Sequence, residues 1–248
     1  CYLAGIPLRA GESREFGGAT LSHALGSASD EVHQADRNLR MVKHVGFTTD
    51  NLQLEASIGD SALLAAGSIL QEAGIDPAAP YIIVHPGASA QARRYPTERF
   101  AEVVAQLTAR GHQVVVPGTE REAAMLAEMK AQAPDAAYLV GGTTVPEYAA
   151  MVQGAALVVC NDSLPMHLAD ALMTPVVVLY SGTDLESQWR PRYTSYVLLR
   201  HDTPCYPCYR FDCPIGLPCL DFTPDEVVAA AERLLAAPEV RVLEGVTA

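Results

Sequence analysis

The chain has 248 residues, 49% of them hydrophobic, and a formal net charge of −12. That length and apolar content can bury one large core or two modest ones. The acidic balance, with no basic cluster longer than the pair Arg93-Arg94, argues against nucleic acid as a partner, because that binding is driven by neutralising phosphates. No apolar run approaches the roughly 20 residues needed to span a bilayer.

In chain order, "CYLAGIPLRAG" reads as a strand and turn, residues 33–47 as an amphipathic helix, and residues 59–75 as a second helix. The opening Cys1, the lack of a signal-like leader and the shortage of strands before residue 80 suggest a piece of a longer protein. From residue 81 the pattern changes. "YIIVH" (81–85), "QVVVP" (113–117), "ALVVC" (156–160) and "PVVVLY" (175–180) are nearly continuous β-branched runs, the pattern of strands buried on both faces. Helical spacing fills the intervals at 97–111, 119–133 and 145–155, with Gly111 and Gly154 near the ends of two of them. A last helix opens at "TPDEV" with Thr223 as N-cap, Pro224 at N1 and Glu226 completing a capping box. Strands alternating with helices predict a parallel sheet with crossover helices, an open Rossmann-like α/β domain.

Ligands of such sheets sit beyond the carboxyl ends of the strands. The four strand ends here carry "HPGASAQARR", "GTERE", "NDSLPMH" and "SGTD", rich in Gly, small hydroxyls and charge, and suited to a nucleotide diphosphate. Each feature also has an ordinary reading. Asp162 or Ser163 can simply cap a helix, and Glu120 can complement a macrodipole. Arg93 and Arg94 can be solvated, Gly182-Thr183 can be only a turn, and His167 can be a partly buried helical histidine.

The ordered segments "HPGAS", "RRYPTERFAEV", "VVVPGTERE", "LVGGTTVPEYAAMVQGAALVVCNDSLPMHLADAL" and "PVVVLYSGTD" closely resemble glycosyltransferase family 9, the ADP-heptose:lipopolysaccharide heptosyltransferases. "PCYPCYRFDCPIGLPCL" is similar to the tail of the family's heptosyltransferase II branch, and "GIPLRAGESRE" and "HQADRNL" to segments that end its N-terminal domain. The resemblance implies a GT-B fold, with residues 1–78 the remnant of an acceptor-side domain plus linker and 79–248 the donor-binding domain. It implies inverting heptosyl transfer from ADP-heptose to the lipopolysaccharide inner core, without a required cofactor, by a cytoplasmic enzyme peripheral to the inner membrane. On the family pattern Gly87 and Ala88 offer backbone near the phosphates, Arg93 contacts them, and Glu120 accepts from the ribose. Asp162, Ser163 and His167 face the pyrophosphate and sugar, and Thr183 lies at the fourth strand end. The general base is an Asp near the start of the family's N-terminal domain, and no position here matches it. Leu164 stands where Gly is usual and Arg93 where Lys is common.

Cys205, Cys208, Cys213 and Cys219 form C-x2-C-x4-C-x5-C, which lacks the second C-x2-C knuckle usual for zinc, so a thiol or partly disulfide-linked loop is favoured over a metal site. Three alternatives stand beside heptosyl transfer: a transferase using another sugar nucleotide, a sugar-nucleotide 2-epimerase, and a degenerate, non-catalytic nucleotide-sugar binding module.

Overall fold

A computed structural model describes residues 1–13 and 16–236, so Arg14 and Glu15 of "GIPLRAGESRE" and the end of the expected C-terminal domain, 237–248, lie outside the described residues. The chain divides into two compact units, Cys1–Gln53 with Leu185–Arg190, and Leu54–Asp184 with Pro191–Ala248.

In the first unit, strands β1 (Ala10–Glu12) and β2 (His23–Leu25) pair in parallel, followed by helix α1 (Gln34–His44). The strand expected in the first eleven residues thus begins only at Ala10, after a turn closed by Gly5 N–H on Tyr2 O. His33 caps α1 through its Nδ1, which accepts from Ala35 N–H at 3.1 Å. Glu12 takes ion pairs from Arg37 at 3.2 Å and Arg40 at 3.4 Å. Burial raises its pKa, but these partners and the Ala28 N–H outweigh that and leave it below the usual carboxylate value.

The second unit holds helix α2 (Asp60–Glu72), then β3 (Tyr81–His85), α3 (Thr97–Ala109), β4 (Gln113–Gly118), α4 (Ala123–Gln132) and β5 (Ala137–Val140). It continues with α5 (Val145–Gly154), β6 (Leu157–Asn161), α6 (Leu164–Leu172) and β7 (Val176–Leu179). The chain then passes through α7 (Glu186–Trp189) of the first unit and returns for β8 (Tyr196–Leu199) and α8 (Pro224–Ala236). The division at Gln53/Leu54 does not coincide with the boundary expected at 78/79. Helix α2 buries Ala62, Ala66 and Leu70 and packs on α5, which makes it part of the sheet unit.

Six strands form one parallel sheet in the order β5-β4-β3-β6-β7-β8. All four long apolar runs are strands at the expected places. β5 and β8, the two edges, are additional four-residue strands that the sequence reading did not name. The segment 119–133 opens not as an α-helix but as a 3-10 turn, Glu120–Glu122, because Thr119 and Glu122 close a capping box ahead of α4. The expected box at α8 is present, with Glu226 accepting from Thr223 N–H and Oγ1 at 2.7 Å each.

The core lies on both faces of the sheet. Phe100 and Tyr95 meet edge to face at 5.1 Å, and the fully buried Val, Leu and Ile of β3, β6 and β7 contribute on the order of 2 kcal/mol each. Tyr81 donates to Met151 O at 2.6 Å, and its hydroxyl comes so near Gly154 that a Cβ there would sit 2.7 Å away. That close approach accounts for glycine at the end of α5.

Candidate functional site

β4 and β5 lie on one side of β3, and β6, β7 and β8 on the other, so the order reverses between β3 and β6. At such a switch point the loops leave in opposite directions and open a crevice at the carboxyl ends. Here it is bounded by His85–Ala88 and Asn161–Ser163, because His85 of β3 pairs in register with Cys160 of β6. Asn161, fully buried, bolts the two loops together. Its Nδ2 donates to Pro86 O at 2.8 Å, and its Oδ1 accepts from Tyr95 N–H at 3.0 Å.

Asp162 does not cap α6. The N-cap is Ser163, and it makes no side-chain capping bond. The extended backbone at Ser163 instead aims its hydroxyl at Gly87 O (3.3 Å) and Asn161 O (3.4 Å). Asp162 is buried and turned toward the end of β7, where its carboxylate accepts from Ser181 Oγ at 3.0 Å and Ser181 N–H at 3.4 Å. Ser181 and Thr183 hydroxyls lie 2.9 Å apart, and Thr183 Oγ1 donates to Asp184 at 2.9 Å. Arg93 reaches in from a 3-10 turn, Gln91–Arg93. Its Nε donates to Thr183 Oγ1 at 3.0 Å, its Nη2 pairs with Asp184, and its Nε stands 3.8 Å from Asp162. Burial pushes the Asp162 carboxyl up to about 7, and the nearby guanidinium and the Ser181 bonds only partly oppose this. Arg93, Asp162, Ser181, Thr183 and Asp184 thus form one polar network. Ser181 and Asp184 were visible in the sequence only as members of "SGTD".

Gly87 has a role the sequence did not disclose. A Cβ there would collide with the Glu122 carboxylate, 2.8 Å from its Cδ. Glu122, locked by bonds from Thr119 N–H (2.7 Å) and Oγ1 (2.9 Å), therefore lies across the β3 loop. Glu120 is exposed and stands instead against Gly141, so the structure brings Glu122 rather than Glu120 to the crevice loop. Beside them, burial lowers His85 to about 4, with Glu122 opposing weakly, so the ring is neutral. The His85 and Tyr148 rings are 5.5 Å apart, and His85 Nδ1 and Tyr148 Oη are buried without a hydrogen-bond partner. Ala88 is buried, with its carbonyl held by Arg94 Nε at 2.8 Å.

Helix α6 starts at this crevice. Pro165 removes one first-turn N–H, and Met166 N–H is bonded to Ser163 O at 3.1 Å. Leu164 is 51% exposed and so does not belong to the core. His167 follows one turn later, partly buried and engaged. The cysteine loop abuts the same end of the sheet: Cys208 and Tyr209 N–H donate to Gly182 O and Thr183 O at 2.8 Å, and Phe211 O accepts from Ala92 N–H at 2.8 Å. All six cysteines are free thiols, and among the described residues no three His, Cys, Asp or Glu converge on a metal position. A guanidinium, a helix start without a side-chain cap and a ring of hydroxyls at a sheet switch point can hold a phosphorylated ligand.

The model of the family described as glycosyltransferase family 9 (heptosyltransferase) matches residues 3–217. Lipopolysaccharide heptosyltransferase 3 of Escherichia coli (strain K12) is 28% identical over 165 residues, which are 64% of this chain and 47% of that protein. The chain therefore spans about half the length of that curated relative. A glycosyl transferase family 9 structure from Veillonella parvula DSM 2008 superposes with a TM-score of 0.77 at 21% identity, covering 89% of this chain and 64% of the other. The E. coli ADP-heptose lps heptosyltransferase II does so with a TM-score of 0.74 at 23% identity, covering 96% and 72%. These likenesses place the parallel α/β architecture among the heptosyltransferase structures of GT-B type.

Proposed function

The chain belongs to glycosyltransferase family 9, and from that membership we propose that it supplies the donor-binding part of an inverting heptosyltransferase. The donor in this reading is ADP-heptose and the acceptor lipopolysaccharide, in keeping with the names of the relative and of the structural neighbour, with the inner core as the proposed point of transfer. One observation carries the reading: beyond the strand ends that flank the switch point, Arg93 joins Asp162, just ahead of α6, and Ser181 and Thr183, just after β7, in one polar network.

In an inverting transfer the acceptor oxygen bonds to the anomeric carbon as the bond to the β-phosphate breaks, and the electron pair leaves with ADP. The Arg93 guanidinium and the positive end of the α6 dipole offset the charge gathering on that diphosphate. Gly87 and Ala88 provide backbone at the same edge, and Ser163, Thr183 and His167 are polar groups for the phosphate and sugar. Glu122, and Glu120 at the rim, are the carboxylates available to ribose hydroxyls. The base that takes the acceptor proton is assigned to no residue here. Among the described residues no helix is long and apolar enough to cross a membrane. Peripheral attachment to the inner face of the membrane, where a lipid A-core acceptor would be presented, is part of the proposal by family membership alone.

Calorimetric titration of the chain with ADP, UDP, GDP and ADP-heptose tests the donor assignment. ADP and ADP-heptose should bind, with at least tenfold preference over UDP and GDP. A preference for UDP or GDP would move the chain to another sugar nucleotide, and no binding by folded protein would refute the donor site.

A further inference from the structure

The two adjacent arginines of "ARRYP" are held in different ways. Arg94 Nε bonds to a backbone carbonyl, Ala88 O at 2.8 Å, which fixes the loop it belongs to. The Arg93 guanidinium, among the described residues, bonds to side chains, Thr183 Oγ1 at 3.0 Å and the Asp184 carboxylate, and stands 3.8 Å from Asp162. Its side chain is 30% exposed, against 5% for Asp162 and 23% for Asp184. Asp162 is anchored by two bonds from Ser181 just beyond β7, and Asp184 lies further along the same loop, next to Thr183. Of the two acids, Asp184 makes the close pair with the guanidinium, and a single Asp184 oxygen takes both the Arg93 and the Thr183 bonds. Burial, which holds the Asp162 carboxyl near 7, further reduces its share of the charge facing Arg93.

We infer that Asp184 is the counter-ion of Arg93 until a ligand binds and thereby sets donor affinity: an incoming diphosphate takes the guanidinium from Asp184. The inference rests on the reading of the Arg93 network as the phosphate end of a donor site. Asp184 holds the guanidinium beside Thr183, which preorganises it, and competes with phosphate for the same N–H groups. After the exchange its carboxylate remains near the diphosphate and repels it. Removing the charge while keeping the acceptor oxygen keeps the placement and ends the competition.

The test is calorimetric titration of wild type, Asp184→Asn, Arg93→Ala and the double variant with ADP and, in parallel, adenosine. Circular dichroism and thermal melts verify folding, and Asp184→Ser is the second neutral variant should the Asn protein not fold. Asp184→Asn should tighten ADP about three- to fivefold, on the scale of one removed charge contact at a partly exposed site. Adenosine affinity should not change. Arg93→Ala should weaken ADP, and Asp184→Asn should then gain clearly less than it does with Arg93 present, only what relief of the remaining repulsion supplies. Unchanged or weaker ADP binding in Asp184→Asn, with Arg93→Ala still deleterious, would make Asp184 a scaffold residue and leave the donor site standing. An equal gain in the Arg93→Ala background, or an equal gain for adenosine, would also overturn the counter-ion role. Folded wild type that binds no ADP would remove the donor site itself, and the inference with it.

Discussion

Replacing Asp162 with Asn should make the stability of this protein less sensitive to pH. Asp162 is 6% exposed, and its carboxyl titrates near 7 instead of at 3.8. Between those values the folded chain keeps a proton that the unfolded chain has released. Stability therefore falls as pH rises through the interval and levels off above about 7. The full displacement corresponds to on the order of 4 kcal/mol, and the stretch between pH 5 and pH 8 to about 2–3 kcal/mol of it. Asn retains the geometry: its amide oxygen can accept from Ser181 N–H and its amide N–H can donate to Ser181 Oγ, which turns its own proton to Thr183. The assay is urea denaturation of both proteins at pH 5, 6, 7 and 8, taking the difference at each pH so that groups common to both cancel. The Asn variant should gain on wild type as pH rises, by about 2–3 kcal/mol over the range. A constant difference, or one that grows toward acid, would refute the claim that burial dominates the Arg93 attraction at this carboxyl.

Two further substitutions probe the framework of the crevice. Asn161→Ala leaves Tyr95 N–H and Pro86 O without their buried partner and should cost about 2–4 kcal/mol in denaturant-induced unfolding. A loss below about 0.5 kcal/mol would show that the bolt is not needed. Gly87→Ala places a methyl against the Glu122 carboxylate and should destabilise by about 1–3 kcal/mol. Combining it with Glu122→Ala should recover most of that loss, and no recovery would place the conflict elsewhere.

The central sheet was legible because strands covered on both faces need unbroken apolar runs, and β3, β4, β6 and β7 supply them. The edge strands were not. β5, "AYLV", is four residues long and only partly buried, so its pattern is no stronger than that of a loop. β8, "YVLL", is buried but equally short, and its place is fixed from outside: Asp170 of α6 accepts from the N–H groups of Arg192, Tyr193 and Thr194 at 2.8–3.1 Å. At the site, the strand-end rule located Gly87, Arg93, Asp162 and Thr183. It could not say where Asp162 points. That depends on the β6–β7 register, which pairs Asn161 with Leu179 and sets the next residues of the two strand ends side by side. Glu120 and Glu122 are two residues apart in a segment read as helix, and the 3-10 turn decides which one crosses the β3 loop.

The Asn161 bolt has a consequence for how this site can drift in evolution. It joins the loops after β3 and β6 through main-chain atoms of Pro86 and Tyr95, so the gap between them is inherited from the spacing of neighbouring strands, about 4.8 Å. Side chains on the rim, Leu164 and Glu120 among them, can then be exchanged without moving that frame, since neither is buried in it. Substitutions at such rim positions leave the spacing of the two loops as it is, while a change at Asn161 alters that spacing itself.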